Sequence, residues 1–290
     1  MLLNRQKQLL VLLDAHQGEI GSLDFQKLLF LYCQQVEAKP SYDFVPYKFG
    51  GFSFTSYADK RRLVEQGFLA DQERLWTLTP LGKKKAAAAN NPSIKVDMAA
   101  FAKRYAGLRG DLLVAEAYRL FPFYAIRSEM ASRVLAKDKA ALKAIKDATP
   151  ARQTAGLCTI GYEGLSLEVY LNKLLMHGVT LLCDVRRNPL SRKYGFSKST
   201  LSKSCEGVGI RYEHLPELGI ASDLRQDLAT QEDYDALFAI YRRDSLPRQS
   251  AALEKPIPVW QLDGGSAVVG ANEPASLYPT LSLAAGGGIT

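Results

Sequence analysis

A chain of 290 residues, 47% hydrophobic and 23% charged, has room for two modest domains with a full hydrophobic core. Its formal charge of +7 favours an anionic partner, nucleic acid or nucleotide. Cys33, Cys158, Cys183 and Cys205 form no CxxC pair, and neither a spanning apolar run nor a signal-peptide pattern is evident; the expectation is a cytoplasmic protein with no metal, no cofactor and no membrane segment.

The first predicted element is a helix over Leu2 to Leu13, from the spacing of Leu9, Leu10, Leu12 and Leu13. A second covers Phe25 to Val36, with Phe25, Leu28, Leu29 and Tyr32 on one face and Ser22 or Asp24 as its cap. Gly50-Gly51 breaks the chain before a third helix at 53–66. Residues 67–79 read as two short strands around a polar turn, ended by Pro80-Leu81-Gly82. Helices followed by a hairpin outline a winged helix. The run LVEQGFLADQERLWTLTPLGK resembles the last helix and wing of winged-helix regulators. FQKLLFLY, with the later YKFGGFSF, resembles the small helical domain of phage-associated antitoxins called Panacea or SocA-like, which implies a link to phage defence. Lys60, Arg61, Arg62 and Arg74 are the candidate phosphate contacts, followed by Lys83, Lys84 and Lys85. The alternative is that these charges coat a module that binds a protein partner or dimerises.

Asn90-Asn91-Pro92 stops any helix there and marks the expected domain boundary, at about residue 90. A helical bridge is expected over 91–155, with helices at Met98 to Tyr105 and Gly110 to Leu120. Phe121, Phe123 and Tyr124 are expected to pack against the α/β sheet that follows, while Arg119, Tyr124 and Arg127 are candidates to approach the site from outside. Lys137 to Lys146 reads as a solvated helix.

From residue 156 the pattern changes to apolar strand, helix at Leu167 to His177, apolar strand at Val179 to Val185, and a short strand near Arg211 to His214. Strand, helix, strand implies a parallel pair, and ligands gather beyond the carboxyl ends of such strands. Tyr162, Glu163, Ser166, Asp184, Arg186 and Arg187 fall at those ends. Two roles fit Asp184: it accepts a ribose hydroxyl or a proton while Arg186 or Arg192 holds a phosphate, or it pairs structurally with Arg186. Glu163 is the candidate general base, or else a charge that stabilises a helix start. Gly164 permits close backbone approach, and Ser166 is an N-cap or a phosphate ligand. Arg192, Lys193, Tyr194 and Phe196 interleave basic and aromatic groups, to grip a ligand or to pack inward. His214 reads as a hydrogen-bonded structural histidine.

Ile160-Gly161-Tyr162-Glu163-Gly164, Asp184-Val185-Arg186 with Pro189-Ser191-Arg192, Gly195-Phe196-Ser197 and Tyr212 through Leu218-Gly219 together resemble the DUF488 family over about residues 100 to 250. The segment LRGDLLVAEAYRLFPFYAIRSEMA resembles the approach to that domain. The resemblance implies a Rossmann-like three-layer α/β domain at 156–253, behind an N-terminal helical winged-helix-like domain at 1–90. It names no reaction. It also implies a further apolar strand and a Cys-His-Arg motif, and that motif is absent here. The segment 254–290, rich in Pro, Gly, Ala and Ser, is expected to be partly disordered, either through a frameshift that replaced the last strand or as a divergent tail.

The leading expectation is a nucleic-acid-associated protein whose α/β domain binds a phosphate-bearing ligand through Tyr162, Gly164, Ser166, Arg186, Arg187, Arg192 and Tyr194. The alternatives are an enzyme acting on a nucleotide or nucleobase, with Glu163 or Asp184 as base, and an antitoxin-like interaction protein without catalysis. Sequence sets no oligomeric state.

Overall fold

A computed structural model describes residues 2–88, 92–151, 156–220, 230–249 and 266–271. The architecture is mixed α/β, and the chain divides into two compact units, Met1–Thr149 and Pro150–Thr290.

The first unit opens with α1 (Asn4–Ala15), which buries Leu9, Leu10, Leu12 and Leu13 as the spacing predicts. After β1 (Glu19–Gly21) comes α2 (Ser22–Gln35), which buries every residue from Phe25 to Cys33. A helix buried on all sides is the centre of its unit. Neither expected cap serves it: Gly21 holds the N-cap position, the Ser22 hydroxyl donates to the Glu73 carbonyl at 3.1 Å, and Asp24 accepts from the Gly110 amide at 2.8 Å. The hairpin β2 (Val45–Tyr47) and β3 (Gly50–Phe52) leads into α3 (Phe54–Glu65), capped by the Ser53 hydroxyl, which accepts from the Ser56 amide. Then β4 (Leu75–Thr77) pairs antiparallel with β1, setting Ile20 against Trp76, and Leu69 bridges Leu78 beside it.

Pro80 starts α4 (Pro80–Ala87), since a proline at the first helical position lacks only an amide that has no helical partner. Beyond it run α5 (Pro92–Arg104), α6 (Gly110–Leu120), α7 (Ala131–Val134) and α8 (Lys139–Asp147). These are no bridge. Met98, Phe101, Tyr105, Leu113, Val114, Tyr118 and Leu135 share one hydrophobic cluster with Leu9, Phe25 and Trp76. The boundary expected near residue 90 therefore falls at Thr149/Pro150. The Asn-Asn-Pro break is local, and the apolar faces of α5 and α6 are buried only inside the first core. Phe121 and Tyr124, expected against the α/β sheet, instead meet Phe30 edge-on at 5.2 and 4.7 Å. Arg119 is an exposed partner of Asp138.

The second unit contains β5 (Gly156–Gly161), α9 (Leu167–Met176), β6 (Val179–Asp184), α10 (Lys198–Gly207), β7 (Arg211–His214), α11 (Gln231–Ile240) and β8 (Ser266–Ala271). Among the described residues its four strands are all parallel, in the order β5-β8-β6-β7. The register aligns Asp184 with His214 and with Gly270, and Gly161 with Ala271, so the carboxyl ends form one rim. Parallel strands carry continuous apolar runs because both faces are covered, and Leu181, Leu182 and Cys183 are buried accordingly. The tail expected to lack its last strand supplies one at Ser266–Ala271, between β5 and β6. The remainder of 254–290 lies outside the described residues.

Candidate functional site

The turn after β5 is shaped by Gly164, whose φ of 72° lies in the left-handed region open to glycine. Ser166 caps α9, its hydroxyl accepting from the Val169 amide at 3.2 Å, as the N-cap reading expects. This geometry holds Tyr162 over the following loop. Its ring stacks on Phe196 at 4.4 Å and 15°, and Tyr170 meets the other ring of that pair edge-on at 5.4 Å. Lys193 donates to the Tyr162 carbonyl at 3.0 Å and lies 5.5 Å over Phe196. Gly195, at φ 92°, makes the approach possible, because a Cβ there would sit 2.7 Å from Leu167.

Asp184 and Arg186 project from the end of β6 and are 1% and 5% exposed. Arg186 grips the carboxylate with both arms, Nε to Oδ1 at 2.8 Å and Nη2 to Oδ2 at 2.5 Å. The Arg186 amide donates to Oδ1 at 3.1 Å, and Tyr212 donates to Oδ2 at 2.6 Å. The third arm of Arg186 reaches the Phe196 carbonyl at 2.7 Å. Burial works to lower the Arg186 pKa, but hydrogen bonds and charge from Asp184 outweigh it and hold it raised. Four donors occupy the carboxylate, which suits a structural pair that fixes the loop better than a proton acceptor.

Beside this pair, His214 Nε2 lies 2.9 Å from the Arg186 carbonyl, which can only accept, so Nε2 carries the proton. Its Nδ1 then accepts from the Lys198 ammonium at 2.9 Å. A neutral imidazole of fixed tautomer thus holds a lysine at the first residue of α10.

Residues 166–259 match the family described as domain of unknown function DUF488. That stretch is similar to DUF488 proteins. Comparison with curated proteins and with solved structures gave no match. The DUF488 match takes in Asp184, Arg186, Arg192, Phe196 and His214, while the Tyr162–Gly164 turn lies just ahead of it. The Leu108–Ala131 stretch expected as an approach to DUF488 falls outside it and packs in the first unit.

Of the residues expected in the site, the structure joins Tyr162, Asp184 and Arg186 in one network, with Gly164 and Ser166 shaping its turn. Glu163, Arg187 and Arg192 are exposed and make no ion pair among the described residues, and Tyr194 is half-buried. Sequence reading missed helix α10 and Lys198; Ser197 followed by Leu201, Cys205 and Val208 was the available signal.

Cysteine chemistry is suppressed. Burial pushes Cys158 up to about 11, and burial, then the charge of Glu213, pushes Cys183 up to about 12, so neither forms a ready thiolate. No three His, Cys, Asp or Glu side chains among the described residues are grouped to hold a metal.

In the first unit, Lys60 is only 7% exposed. Its ammonium donates to the Gln72 and Leu75 carbonyls at 2.7 and 2.8 Å, over the Trp76 ring, so it holds the turn rather than facing a phosphate. Arg61, Arg62 and Arg74 are exposed. No helix among the described residues is long and apolar enough to cross a membrane.

Proposed function

We propose that the DUF488 domain binds a phosphate-bearing ligand at the carboxyl ends of its parallel strands, in a cytoplasmic protein that works on nucleic acid. One observation carries this reading: Lys198 is held by a neutral histidine, and Lys198, Arg187 and Arg192 have no ion-pair partner among the described residues. Exposed cations after the strand ends, beside a buried carboxylate that Arg186 already neutralises, favour an anion there. The strand order supports a Rossmann-like three-layer domain, with α11 opposite α9 and α10 by the right-handed crossover rule. The β1–β4 pair and the Leu69–Leu78 bridge after α3 support a winged-helix-like first unit. Arg61, Arg62 and Arg74 would then contact the DNA backbone, in phage defence if the antitoxin resemblance carries over.

Titration with adenosine monophosphate and with a 20-base-pair duplex tests both parts. Lys198→Ala should weaken the nucleotide about ten-fold, which is roughly one charge-assisted contact. Duplex affinity should fall steeply with salt, since phosphate contacts release counterions. Unchanged nucleotide binding in Lys198→Ala sinks the ligand site; a flat salt response sinks the DNA part.

A second reading rests on Glu163, an exposed carboxylate next to Tyr162: an enzyme on a nucleotide or nucleobase with Glu163 as general base. Turnover lost in Glu163→Gln with nucleotide affinity intact would favour it.

A further inference from the structure

A cavity of about 470 Å³ lies in the first unit, where the end of α1 and the turn into β1 face the last turns of α5. That volume is within the range of small-molecule sites, roughly 300–1,000 Å³. Ala99, Ala102 and Ala106 give it a floor of short side chains, and His16, Lys103 and Arg109 supply its polar wall.

Arg109 is the organising group. Its Nη1 donates to the carbonyls of Tyr105 and Leu108 at 2.9 and 2.6 Å, and its Nη2 lies 3.3 Å from His16 Nδ1. A guanidinium only donates, so Nδ1 accepts and the proton of the neutral imidazole sits on Nε2. All three partners are uncharged. Neither Arg109 nor Lys103 makes an ion pair among the described residues, so a fork held rigid at a cavity wall keeps its full positive charge. The cavity's carboxylate, Glu19, accepts from the Thr77 hydroxyl at 3.1 Å.

One further observation points to a ligand. His16 is 6% exposed, and its Nε2 is buried with no hydrogen-bond partner. An unmet buried donor costs about 1–3 kcal/mol and calls for an explanation. Burial, and then the charge of Arg109, lowers the His16 pKa to about 4, so it stays neutral and does not add a third cation at pH 7.

We propose that this cavity binds a small organic oxyanion: its phosphate or carboxylate on Arg109 and Lys103, its apolar body on the alanine floor. Its lining shares no residue with the strand rim of the second unit. Isothermal titration of the full chain with phenyl phosphate and with benzoate is the test. Saturable binding with a Kd below about 1 mM is expected for at least one of them, and whichever binds identifies the head group. Arg109→Gln should weaken it at least ten-fold, about one charge-assisted contact. Because Arg109 also braces a turn, Ala99→Leu provides the second variant: it leaves every charge in place, fills the cavity and should abolish binding. Lys143→Ala, an exposed cation of α8 that belongs to neither site, should leave it unchanged. No saturable binding of either probe, or binding that survives Ala99→Leu, overturns the proposal. Loss in Lys198→Ala with retention in Arg109→Gln overturns it too, by assigning the anion to the strand rim.

Discussion

Asp59 in the first unit and Asp184 in the second are both buried carboxylates that accept from an arginine and a tyrosine, yet they do different work. Asp59 collects Arg5 Nε at 2.6 Å, Gln6 Nε2 at 2.8 Å and Tyr42 at 3.0 Å, so it fastens α1 and the loop before β2 onto α3. The Arg5 side chain keeps 36% of its surface in water, whereas that of Arg186 keeps 4%. The Asp184–Arg186 pair spans two residues of one strand end, and Tyr212 and the Phe196 carbonyl complete its hydrogen bonds. One carboxylate is a staple between distant segments; the other is a post at the strand rim where we propose that Lys198, Arg187 and Arg192 hold a ligand.

The comparison breaks most visibly at Arg186. Arg186→Met strands Asp184 without its guanidinium in a site of 1% exposure, and removing one partner of such a pair costs about 3–5 kcal/mol. Urea unfolding should give that loss, and Asp184→Asn in the Arg186→Met background should restore part of it. A loss below about 1 kcal/mol would mean that water reaches Asp184 and the rim post is soft. Arg5→Met should cost distinctly less, because the Arg5 side chain is part-solvated while that of Arg186 is almost wholly buried. Equal costs would erase the distinction drawn above.

The tyrosines sharpen it further. Tyr42→Phe and Tyr212→Phe each remove one hydroxyl that donates to a buried carboxylate, worth roughly 1.5–3 kcal/mol. Burial, then Asp59, raises the Tyr42 pKa; burial, then Asp184, raises that of Tyr212, so both stay protonated as donors. Tyr212→Phe should also weaken nucleotide binding by loosening the rim, while Tyr42→Phe should not. Parallel losses of binding in both would argue against a local rim.

These two carboxylates also mark what the sequence made legible. Asp184-Val185-Arg186 ends an apolar strand, and alternation puts its first and third side chains on one face, so the pair was readable from spacing alone. Asp59 was not, because its partners lie 54, 53 and 17 residues away and no periodicity links them. The same limit explains Lys60, which looks like a surface cation on α3 until the Gln72 and Leu75 carbonyls close over it. It also explains the misplaced boundary: Asn90-Asn91-Pro92 is a true local stop, but domains end where buried surface ends, and α5 and α6 bury theirs on α1 and α2. Strand β8 was hidden by a Gly- and Ala-rich composition that reads as loop; it becomes a strand only because two parallel neighbours flank it.

Lys27 extends the comparison to a charge with no counter-ion. It is fully buried in α2, and its ammonium donates to the Gly51 carbonyl at 3.2 Å. Burial alone lowers its pKa to about 7, from an ordinary value of 10.5. Between those values the unfolded chain binds a proton that the folded protein has released, so stability rises with pH from about 7 to about 10 and is flat below, where both states are protonated. The slope from one such group cannot exceed about 1.4 kcal/mol per pH unit. Lys27→Met removes the titrating group and keeps a linear apolar stem in the core. Urea midpoints measured between pH 6 and 10 should climb in the parent and run flatter in the variant, with the gap between them closing as pH rises. Identical slopes would mean that Lys27 keeps its proton when folded, held by something other than Gly51, and that this buried cation belongs with Arg186 rather than apart from it.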